Sequence, residues 1–493
     1  MKKRTKIVAT LGPISDSLEQ ITALMRAGVN LFRLNFSHST HAYHLEVFNR
    51  IKQASQETGL IVGILQDISG PKIRIGMLEE DFHLRIGDTI ELLKEDIVGS
   101  QVAKGEYQLS INEPTILGQL SVGEYIYLYD GIIRAVITDT SDKGVRVTIE
   151  NDGMLSSRKG VNFPNTRLGI DILTQKDRDD ILWGIEHHVD FMAISFVQSA
   201  SDILDARKIL DQHDSHVQLI SKIEKFDAVE NIDEILEVSD GIMVARGDLG
   251  IEVPYFDVPA IQKMLIKKAN TLSKPVITAT QMLLSMTHNE RATRAEISDV
   301  ANAVLDGTDA VMLSEESAIG KNAVLAVETM VETIQAAEKH YPYDKTSQFE
   351  MFDKDDMIDE CAVKLAHNLD ASGILAMTAL GHSAKKIARY RPSQPIYAIV
   401  DDESIARSLT LVWGVVPAFS VEDGDIKFMI GDVIKQGIDR GVFKKDDTYI
   451  LTAGNPVGEH GATNQIRVIS HTEMQFFTEY YLRQELSSSN SID

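Results

Sequence analysis

Two short apolar segments in the middle of the chain each end in charged residues. The charged residues are Lys222, Glu224, Arg246 and Asp248. The apolar segments, 217–223 and 241–244, have the composition of β-strands, and residues 228–238 between them have a helical pattern, which together indicate a βαβ unit. Because parallel strands end at the same edge, we expect these charges to lie together at one mouth of a sheet or barrel.

The residue types at this mouth suit a particular kind of chemistry. Glu224 and Asp248 supply hard oxygen ligands, while Lys222 and Arg246 supply positive charge. Two carboxylates with a lysine between them are typical of a site where a divalent cation holds an anionic substrate. Solvated charges at the rim of a sheet are the simpler alternative, and the placement of both charge types on adjacent strands favours the site.

The βα pattern recurs along much of the chain. Eight strands are predicted, at 6–11, 31–36, 60–65, 191–197, 217–223, 241–244, 275–279 and 310–313. Eight parallel strands with interposed helices predict an α/β fold, the (β/α)8 TIM barrel. Each strand end is polar, including Thr10, Asp67, Ser195 and Thr280, which favours a functional site at that face.

Two segments depart from this pattern. Residues 70–167 contain β-type runs such as 84–93 and 144–149 without a helical period, so we predict a β domain inserted after the third barrel strand. The barrel then comprises 1–69 and 168–340. Residues 341–493 form a predicted C-terminal α/β domain with a regulatory or assembly role. Its first helix is predicted to carry one apolar face, made by Ile358, Cys361, Ala362, Leu365 and Leu369.

Composition excludes several classes of protein. The formal net charge of −24 disfavours nucleic-acid binding, which requires clustered Lys and Arg. No segment approaches the roughly 18 apolar residues of a membrane span. The single cysteine, Cys361, favours a reducing compartment, and the short apolar run at the N-terminus does not match a signal peptide. We therefore expect a cytoplasmic protein without membrane or nucleic-acid partners.

Eight motifs in the chain resemble those of the pyruvate kinase family and occur in the family's order. They are KIVATLGP from Lys6, NLFRLNFSH from Asn30, QDISGPKIR from Gln66, KGVNFP from Lys159, ISKIE from Ile220, ARGDLGIEVP from Ala245, ITATQMLLSM from Ile277 and AVMLSEESAIGK from Ala310. The resemblance implies transfer of a phosphoryl group from phosphoenolpyruvate to ADP, giving pyruvate and ATP in the last step of glycolysis. It also implies a requirement for Mg²⁺, with Mn²⁺ as a possible substitute.

The resemblance assigns roles to the charged residues at the mouth. Lys222 matches the lysine that stabilises the transferring phosphoryl group, and Arg33 matches the arginine that binds the substrate phosphate. Glu224 and Asp248 match the two Mg²⁺ ligands. Since phosphoryl transfer is catalysed mainly by positioning and electrostatic stabilisation, this set of residues meets its physical demands.

Further matches concern the substrate carboxylate and enolate. Gly247 and Asp248 are predicted to open a short helix whose N–H groups face the carboxylate, and Thr280 matches the threonine near the enolate. For the proton that the enolate must gain, two donors are open: a water chain near Thr280, or Lys222.

The resemblance also identifies a nucleotide site. Its residues are Asn35, Phe36, Ser37, His38, Arg74 and Lys159. By the same resemblance the inserted domain, β-barrel-like in the family, closes as a lid that excludes water from the reacting phosphoryl group. Asp130 is a further candidate on this lid, with a plain turn residue as the alternative.

A monovalent-cation site is implied as well, normally occupied by K⁺. Its matching ligands are Asn35, Ser37, Asp67 and the carbonyl of Ile68. Lys72, however, stands where potassium-dependent members carry Glu. Because its ammonium supplies positive charge internally, we predict activity without K⁺.

The C-terminal domain carries a segment, MTALGHSAKKIARYRP from Met377, that resembles the family's effector-phosphate loop. Thr378, His382 and Ser383 are retained, whereas Leu380 replaces the usual hydroxyl residue. We expect a phosphorylated allosteric effector, the alternative being that the loop only caps a helix at Ser383. The resemblance also implies a homotetramer.

Two other functions remain as alternatives. Mg²⁺-dependent lyases or aldolases acting on pyruvate-like enolates also pair a Glu and an Asp at barrel strand ends, but they need neither Arg33 nor Lys159. A catalytically inactive binding or regulatory protein would not need to retain Lys222, Glu224, Asp248 and Thr280 together.

Overall fold

The fold is described by a computed structural model of the chain. It describes residues 3–129, 131–164, 166, 171–345, 349, 353–421, 425–454 and 463–489. Asp130, a candidate from the sequence, lies outside these residues. Within them, no helix is both long and apolar enough to cross a membrane.

Eight parallel strands close into a barrel, which confirms the predicted TIM barrel. In chain order they are Lys6–Thr10, Leu31–Asn35, Gly63–Asp67, Phe191–Ile194, Gln218–Ile223, Gly241–Ala245, Val276–Ala279 and Ala310–Leu313. The third strand begins later than predicted, at Gly63, and runs to Asp67 at the mouth of the barrel. It packs closely at its start, where a side chain at Gly63 would collide with Leu31 and Thr410.

Helices surround the barrel. They are Leu18–Ala27, His41–Thr58, Gln175–Glu186, Ala200–Asp211, Phe226–Glu230, Ile232–Val238, Arg246–Glu252, Val258–Thr271, Arg294–Asp306, Glu315–Ala318 and Ala323–Glu338, with a 3-10 turn at Leu284–Thr287. The single helix predicted at 228–238 is instead two short helices. They separate at Asn231, whose backbone leaves helical geometry (φ −92°, ψ 15°) and whose side-chain amide donates to the Gln198 carbonyl at 2.9 Å.

The inserted domain is built from β-strands, as predicted. They are Phe82–Leu84, Thr89–Leu93, Ser100–Ala103, Glu106–Ser110, Tyr125–Leu128, Ile133–Ser141, Gly144–Ile149, Gly153–Leu155 and Val161–Asn162, with a 3-10 turn at Pro114–Gly118. The strand predicted at 84–93 is interrupted by a turn, in which the Arg85 N–H donates to the Asp88 carboxylate at 2.9 Å. Buried side chains such as Ile90, Ile126 and Val147 form the domain's own core.

The C-terminal domain is a five-stranded sheet flanked by helices. Its strands are Gly373–Met377, Ile396–Val400, Val415–Ser420, Tyr449–Gly454 and Thr463–Ile469, of which the last is antiparallel to its neighbour. Its helices are Lys354–Asn368, His382–Arg389, Glu403–Ser408, Ile426–Asp439 and His471–Ser489, with a 3-10 turn at Leu409–Leu411.

The apolar face predicted for the first helix in this domain is only partly buried. Ala362 is buried, whereas Cys361 is exposed and Leu369, just after the helix, is 47% exposed. The helix also buries acidic residues, among them Asp356, which pairs with Arg389 at 3.3 Å. Its buried side therefore includes charged residues that an apolar pattern does not identify.

A buried ion pair attaches the C-terminal domain to the barrel. The guanidinium of Arg391 donates to both carboxylate oxygens of Asp309 at 2.9 and 3.2 Å and to the Gly307 carbonyl at 2.6 Å. It also stacks on Trp413, 5.0 Å from the ring centroid. Because Arg391 is only 1% exposed, its charge depends on Asp309 for compensation.

Replacement of Asp309 should therefore destabilise the protein strongly. Asp309→Ala leaves the Arg391 guanidinium buried without a counter-charge, and we expect the free energy of unfolding to fall by about 3 to 5 kcal/mol. Asp205→Ala, which removes a half-exposed carboxylate paired with Lys208, should change it by less than about 1 kcal/mol. Urea unfolding followed by circular dichroism measures both. Equal effects would contradict the role given to this pair.

Candidate active site

Lys222 lies at the centre of the barrel mouth. Its ammonium donates to Ser195 Oγ at 2.6 Å and to Asp67 Oδ1 at 3.2 Å, and it lies 3.2 Å from Glu224 Oε1. Burial would lower the pKa of Lys222, but the carboxylates of Asp67 and Glu224 outweigh burial and hold the pKa above its usual value. Lys222 is therefore a cation, and its side chain is largely buried.

Asp67 holds two cations at once. One carboxylate oxygen contacts Lys222, and the other accepts from Arg33 Nε at 2.6 Å. A second nitrogen of Arg33 donates to Thr10 Oγ1 at 3.0 Å, which fixes the guanidinium at the ends of the first three strands. Burial alone would favour neutral Asp67, yet Arg33 and Lys222 lower its pKa. The carboxylate of Asp67 thus holds two positive charges next to each other at the mouth of the barrel.

Glu224 and Asp248 provide the acidic side of the site. Glu224 is 1% exposed, and its Oε1 has no hydrogen-bond donor beyond the ion-pair contact with Lys222. Burial raises the pKa of Glu224 to about 7; Lys222 opposes this change and Asp248 reinforces it. Asp248, half-buried, lies in the first turn of the helix Arg246–Glu252.

These two carboxylates fit a magnesium ion. An incompletely bonded Glu224 oxygen beside a second carboxylate is an arrangement that a divalent cation stabilises by cancelling their repulsion. Among the described residues, no group of three or more His, Cys, Asp or Glu side chains surrounds a common point. Since Mg²⁺ commonly takes one or two protein carboxylates and fills its octahedron with water and substrate oxygens, two ligands suffice.

Thr280 occupies a strained turn after the seventh barrel strand. Its φ is +70° and that of Gln281 is +56°, values that β-branched residues rarely adopt. The turn is stabilised by Arg246, which donates to the carbonyls of Ala279 (3.2 Å) and Thr280 (2.7 Å). Strain of this kind persists only where surrounding bonds enforce it, and it concentrates at functional sites.

The contacts of Arg246 therefore differ from those that the sequence predicts. The sequence predicts a cation at the mouth beside Lys222, whereas the Arg246 guanidinium supports the Thr280 turn and pairs with Asp299 at 2.7 Å. The predicted helix does begin here, and the Gly247 N–H donates to Thr280 Oγ1 at 2.8 Å. Gly247 and Thr280 are thus joined directly, which brings the two predicted substrate-binding residues together.

A cleft of about 480 Å³ between the barrel and the inserted domain contains three of the predicted nucleotide residues, His38, Arg74 and Lys159. Lys72 and Asp248 also line the cleft, so it adjoins the proposed metal site. Lys159 Nζ lies 4.1 Å from the Tyr129 ring centroid. Burial and the nearby Lys72 cation lower the pKa of His38, so this imidazole is neutral at physiological pH.

The other predicted nucleotide residues are not among those that line this cleft. The Phe36 side chain is 2% exposed and stacks on His44 at 4.1 Å, so its ring belongs to the barrel core. Asn35 Oδ1 accepts from the Ser37 N–H at 3.1 Å, and Ser37 Oγ donates to Ser69 Oγ at 3.3 Å. Asn35 and Ser37 are also predicted ligands of the monovalent cation.

The remaining monovalent-cation ligands already have protein partners. The Ile68 carbonyl accepts from Ser195 Oγ at 2.7 Å, and Asp67 is engaged by Arg33 and Lys222. Partial burial and the nearby Lys222 ammonium lower the pKa of Lys72, whereas Asp248 acts in the opposite direction. Lys72 lines the cleft and interacts electrostatically with Lys222, Asp248 and Asp67, the last a predicted ligand.

The predicted effector loop precedes the helix His382–Arg389. Gly381 is its N-cap, with φ +80°, so the alternative in which Ser383 caps the helix is wrong. Ser383 Oγ instead lies 2.6 Å from Thr463 Oγ1. Thr378 is 9% exposed, and its N–H donates to the Ile399 carbonyl at 3.0 Å.

Ser195 has a role at the site that the sequence motifs do not predict. Its hydroxyl donates to the Ile68 carbonyl and accepts from the Lys222 ammonium, so it orients the central lysine. The sequence did contain a signal, since Ser195 was one of the polar residues at the strand ends. Its partners could not be deduced because they come from the third and fifth strands.

Comparison with known proteins agrees with this geometry. Residues 2–327 match the family model "Pyruvate kinase, barrel domain", and residues 356–469 match "Pyruvate kinase, alpha/beta domain". The pyruvate kinase of Geobacillus stearothermophilus is 43% identical over 476 residues, covering 95% of this chain and 80% of that protein. For that of Bacillus licheniformis the identity is 42% over 474 residues, covering 94% and 80%.

A crystal structure of a pyruvate kinase from Cryptosporidium parvum is also similar, with a TM-score of 0.89 and 32% identity, covering 95% of this chain and 96% of that chain. The lyase alternative finds no support in these matches. Both family models, the close relatives and the shared architecture lead to one conclusion: the chain belongs to the pyruvate kinase family.

Proposed function

We propose that the barrel mouth transfers the phosphoryl group of phosphoenolpyruvate to ADP and that the residues described above have the following roles. The observation that carries the assignment is the Lys222 ammonium, held between Asp67 and Glu224 beside a cationic cleft. Lys222 and Arg33 neutralise the phosphoryl group during transfer. Because Asp67 aligns both cations, the site is preorganised and pays little reorganisation energy.

Glu224 and Asp248 would hold Mg²⁺, with Mn²⁺ as a substitute. The bound ion would neutralise charge on the phosphoryl and enolate oxygens. Glu224 is suited to this role because its buried Oε1 has no hydrogen-bond donor other than the Lys222 ammonium, 3.2 Å away. In the absence of the ion, burial favours the neutral acid at Glu224, so ion binding and deprotonation of this residue are coupled.

The enolate of pyruvate must gain a proton at carbon. Of the two donors that the sequence leaves open, we favour a water near Thr280, because the Lys222 ammonium is already engaged by Ser195, Asp67 and Glu224. Gly247 and Thr280, which are hydrogen-bonded to each other, would position the substrate carboxylate next to this water.

The nucleotide would occupy the cleft between barrel and inserted domain, with its phosphates near Arg74 and Lys159. His38 would line the barrel side, and Asn35 and Ser37, which lie just before it in the chain, would approach the nucleotide from the barrel only at the edge of the cleft, while Phe36 would contribute only backbone. We propose that the inserted domain, residues 70–167, acts as a lid that excludes water from the phosphoryl group. We propose that the other two domains are the barrel, at residues 1–69 and 168–340, and the C-terminal domain, at residues 341–493.

Pyruvate kinases generally require Mg²⁺ and often K⁺. We propose that this chain works without K⁺, since Lys72 places an ammonium beside Lys222 and Asp248. We further propose a phosphorylated effector at Thr378, His382 and Ser383, a homotetrameric assembly and a cytoplasmic location, all of them supported by the family resemblance.

An ADP titration of pyruvate formation tests the proposed function. With phosphoenolpyruvate and Mg²⁺, pyruvate should form only when ADP is present. Lys159→Ala should raise the KM for ADP by roughly tenfold or more through loss of a charged phosphate contact. Lys143→Ala, in an exposed turn of the lid, is the matched control. Turnover without ADP would indicate a different reaction, and an unchanged KM would exclude the nucleotide role of Lys159.

A second test addresses the monovalent cation. Replacing K⁺ by tetramethylammonium should change the rate of pyruvate formation by less than about twofold. Lys72→Glu should make the enzyme respond to K⁺ by roughly tenfold or more, because the site then lacks its internal positive charge. Lys104→Glu, at an exposed position of the lid, should behave like the original chain. A large K⁺ activation of the unmodified protein would refute the prediction.

A further inference from the structure

A buried acidic residue connects the inserted domain to the barrel beside the proposed nucleotide cleft, which its two partners, Asn162 and Lys225, help to line. Glu252 Oε1 lies 3.2 Å from the Lys225 ammonium and accepts from the Asn162 amide at 3.4 Å. The Glu252 and Lys225 side chains are only 2% and 9% exposed. Asn162 belongs to the lid strand Val161–Asn162, so one carboxylate oxygen joins residues of both domains.

Each member of this triad adjoins a residue of the proposed site. Glu252 ends the helix whose first turn carries Asp248. Lys225 directly follows Glu224, and Asn162 lies three residues after Lys159. A movement of the Glu252 carboxylate would therefore be transmitted to the two metal-binding residues and to the nucleotide-binding lysine.

A second contact shows that the lid rests on the same helix. A side chain at Gly131, in a turn of the lid, would approach Ile251 to 3.3 Å, so the lid backbone passes close to the residue that precedes Glu252. The helix Arg246–Glu252 thus contacts the lid at its C-terminal end and the proposed substrate site at its N-terminal end.

We propose that Glu252 is a positioning residue that sets the angle of the lid over the cleft through Asn162 and couples it to Asp248 and Glu224 through its own helix and Lys225. This inference rests on the proposed nucleotide role of Lys159. The physical basis is that a buried carboxylate keeps its ammonium and amide donors together, since leaving any of them unpaired costs the full desolvation penalty.

The first variant removes the charge and retains the shape. Glu252→Gln should raise the KM for ADP by roughly tenfold, because the Asn162 amide loses its charged acceptor, while the KM for phosphoenolpyruvate changes much less. Glu360→Gln is the matched control: Glu360 is a buried acid paired with Lys364 at 2.9 Å in the C-terminal domain, and its loss should leave the KM for ADP unchanged.

The second and third variants test the contact from the lid side. Asn162→Asp places two carboxylates together and should raise the KM for ADP at least as much. The reversed pair, Asn162→Asp with Glu252→Gln, restores one amide and one carboxylate across the same contact and should return the KM to within roughly threefold of the original value. Asn162→Asp also keeps the test valid if Glu252→Gln fails to fold.

The outcomes separate a positioning role from a merely structural one. If Glu252→Gln lowers the melting temperature but leaves the KM for ADP within about twofold, the proposal is wrong. Absence of rescue in the reversed pair would also overturn it. If Lys159→Ala leaves that KM unchanged, the nucleotide assignment itself fails, which is a distinct result from failure of the Glu252 role.

Discussion

The structure of the barrel mouth depends on charge balance in a nearly closed space. Lys222 and Arg33 are both attached to the buried carboxylate of Asp67, and Lys222 also contacts Glu224. Buried charges are tolerated only when they are paired and hydrogen-bonded. Under the proposed function, the same constraint would hold the cations in place before an anionic substrate arrives. The buried Glu224 oxygen, whose only neighbouring donor is the Lys222 ammonium, would then be available to a metal ion.

The rest of the fold serves to bring these few groups together. Asp67, Ser195 and Lys222 come from the third, fourth and fifth strands or from positions directly after them, and a parallel barrel places all such ends on one face. The helix Arg246–Glu252 then connects this face with the lid. Its first turn carries Asp248, and its last residue contacts Asn162. The domain that covers the cleft is thus attached to the element that carries a proposed metal ligand.

Much of this arrangement could be predicted from the sequence. The eight strands follow from apolar β-type segments with polar ends, and the central residues follow from motifs shared with the family. The direction of a side chain beyond a strand end is harder to predict, because it depends on the backbone of the following turn. Thr280 adopts φ +70°, and Arg246 consequently serves this turn instead of the mouth.

Contacts between segments that are distant in the sequence could not be predicted either. The pairing of Asn162 with Glu252 joins residues 90 positions apart, and neither has an apolar period or a motif that identifies the other. The first helix of the C-terminal domain shows the same limit. Its apolar pattern predicts one face, but the helix also buries acidic residues such as Asp356, which pairs with Arg389, a residue of another helix that the pattern does not identify.

The most direct test of this account is the turnover number of Lys222→Met at saturating substrates and Mg²⁺, compared with Lys208→Met on the exposed barrel surface. The account predicts that kcat falls by roughly 10² to 10³ or more for Lys222→Met, while Mn²⁺ binding measured by electron paramagnetic resonance is retained. A kcat within about tenfold of the original value would contradict the central claim that this ammonium stabilises the phosphoryl group in transfer.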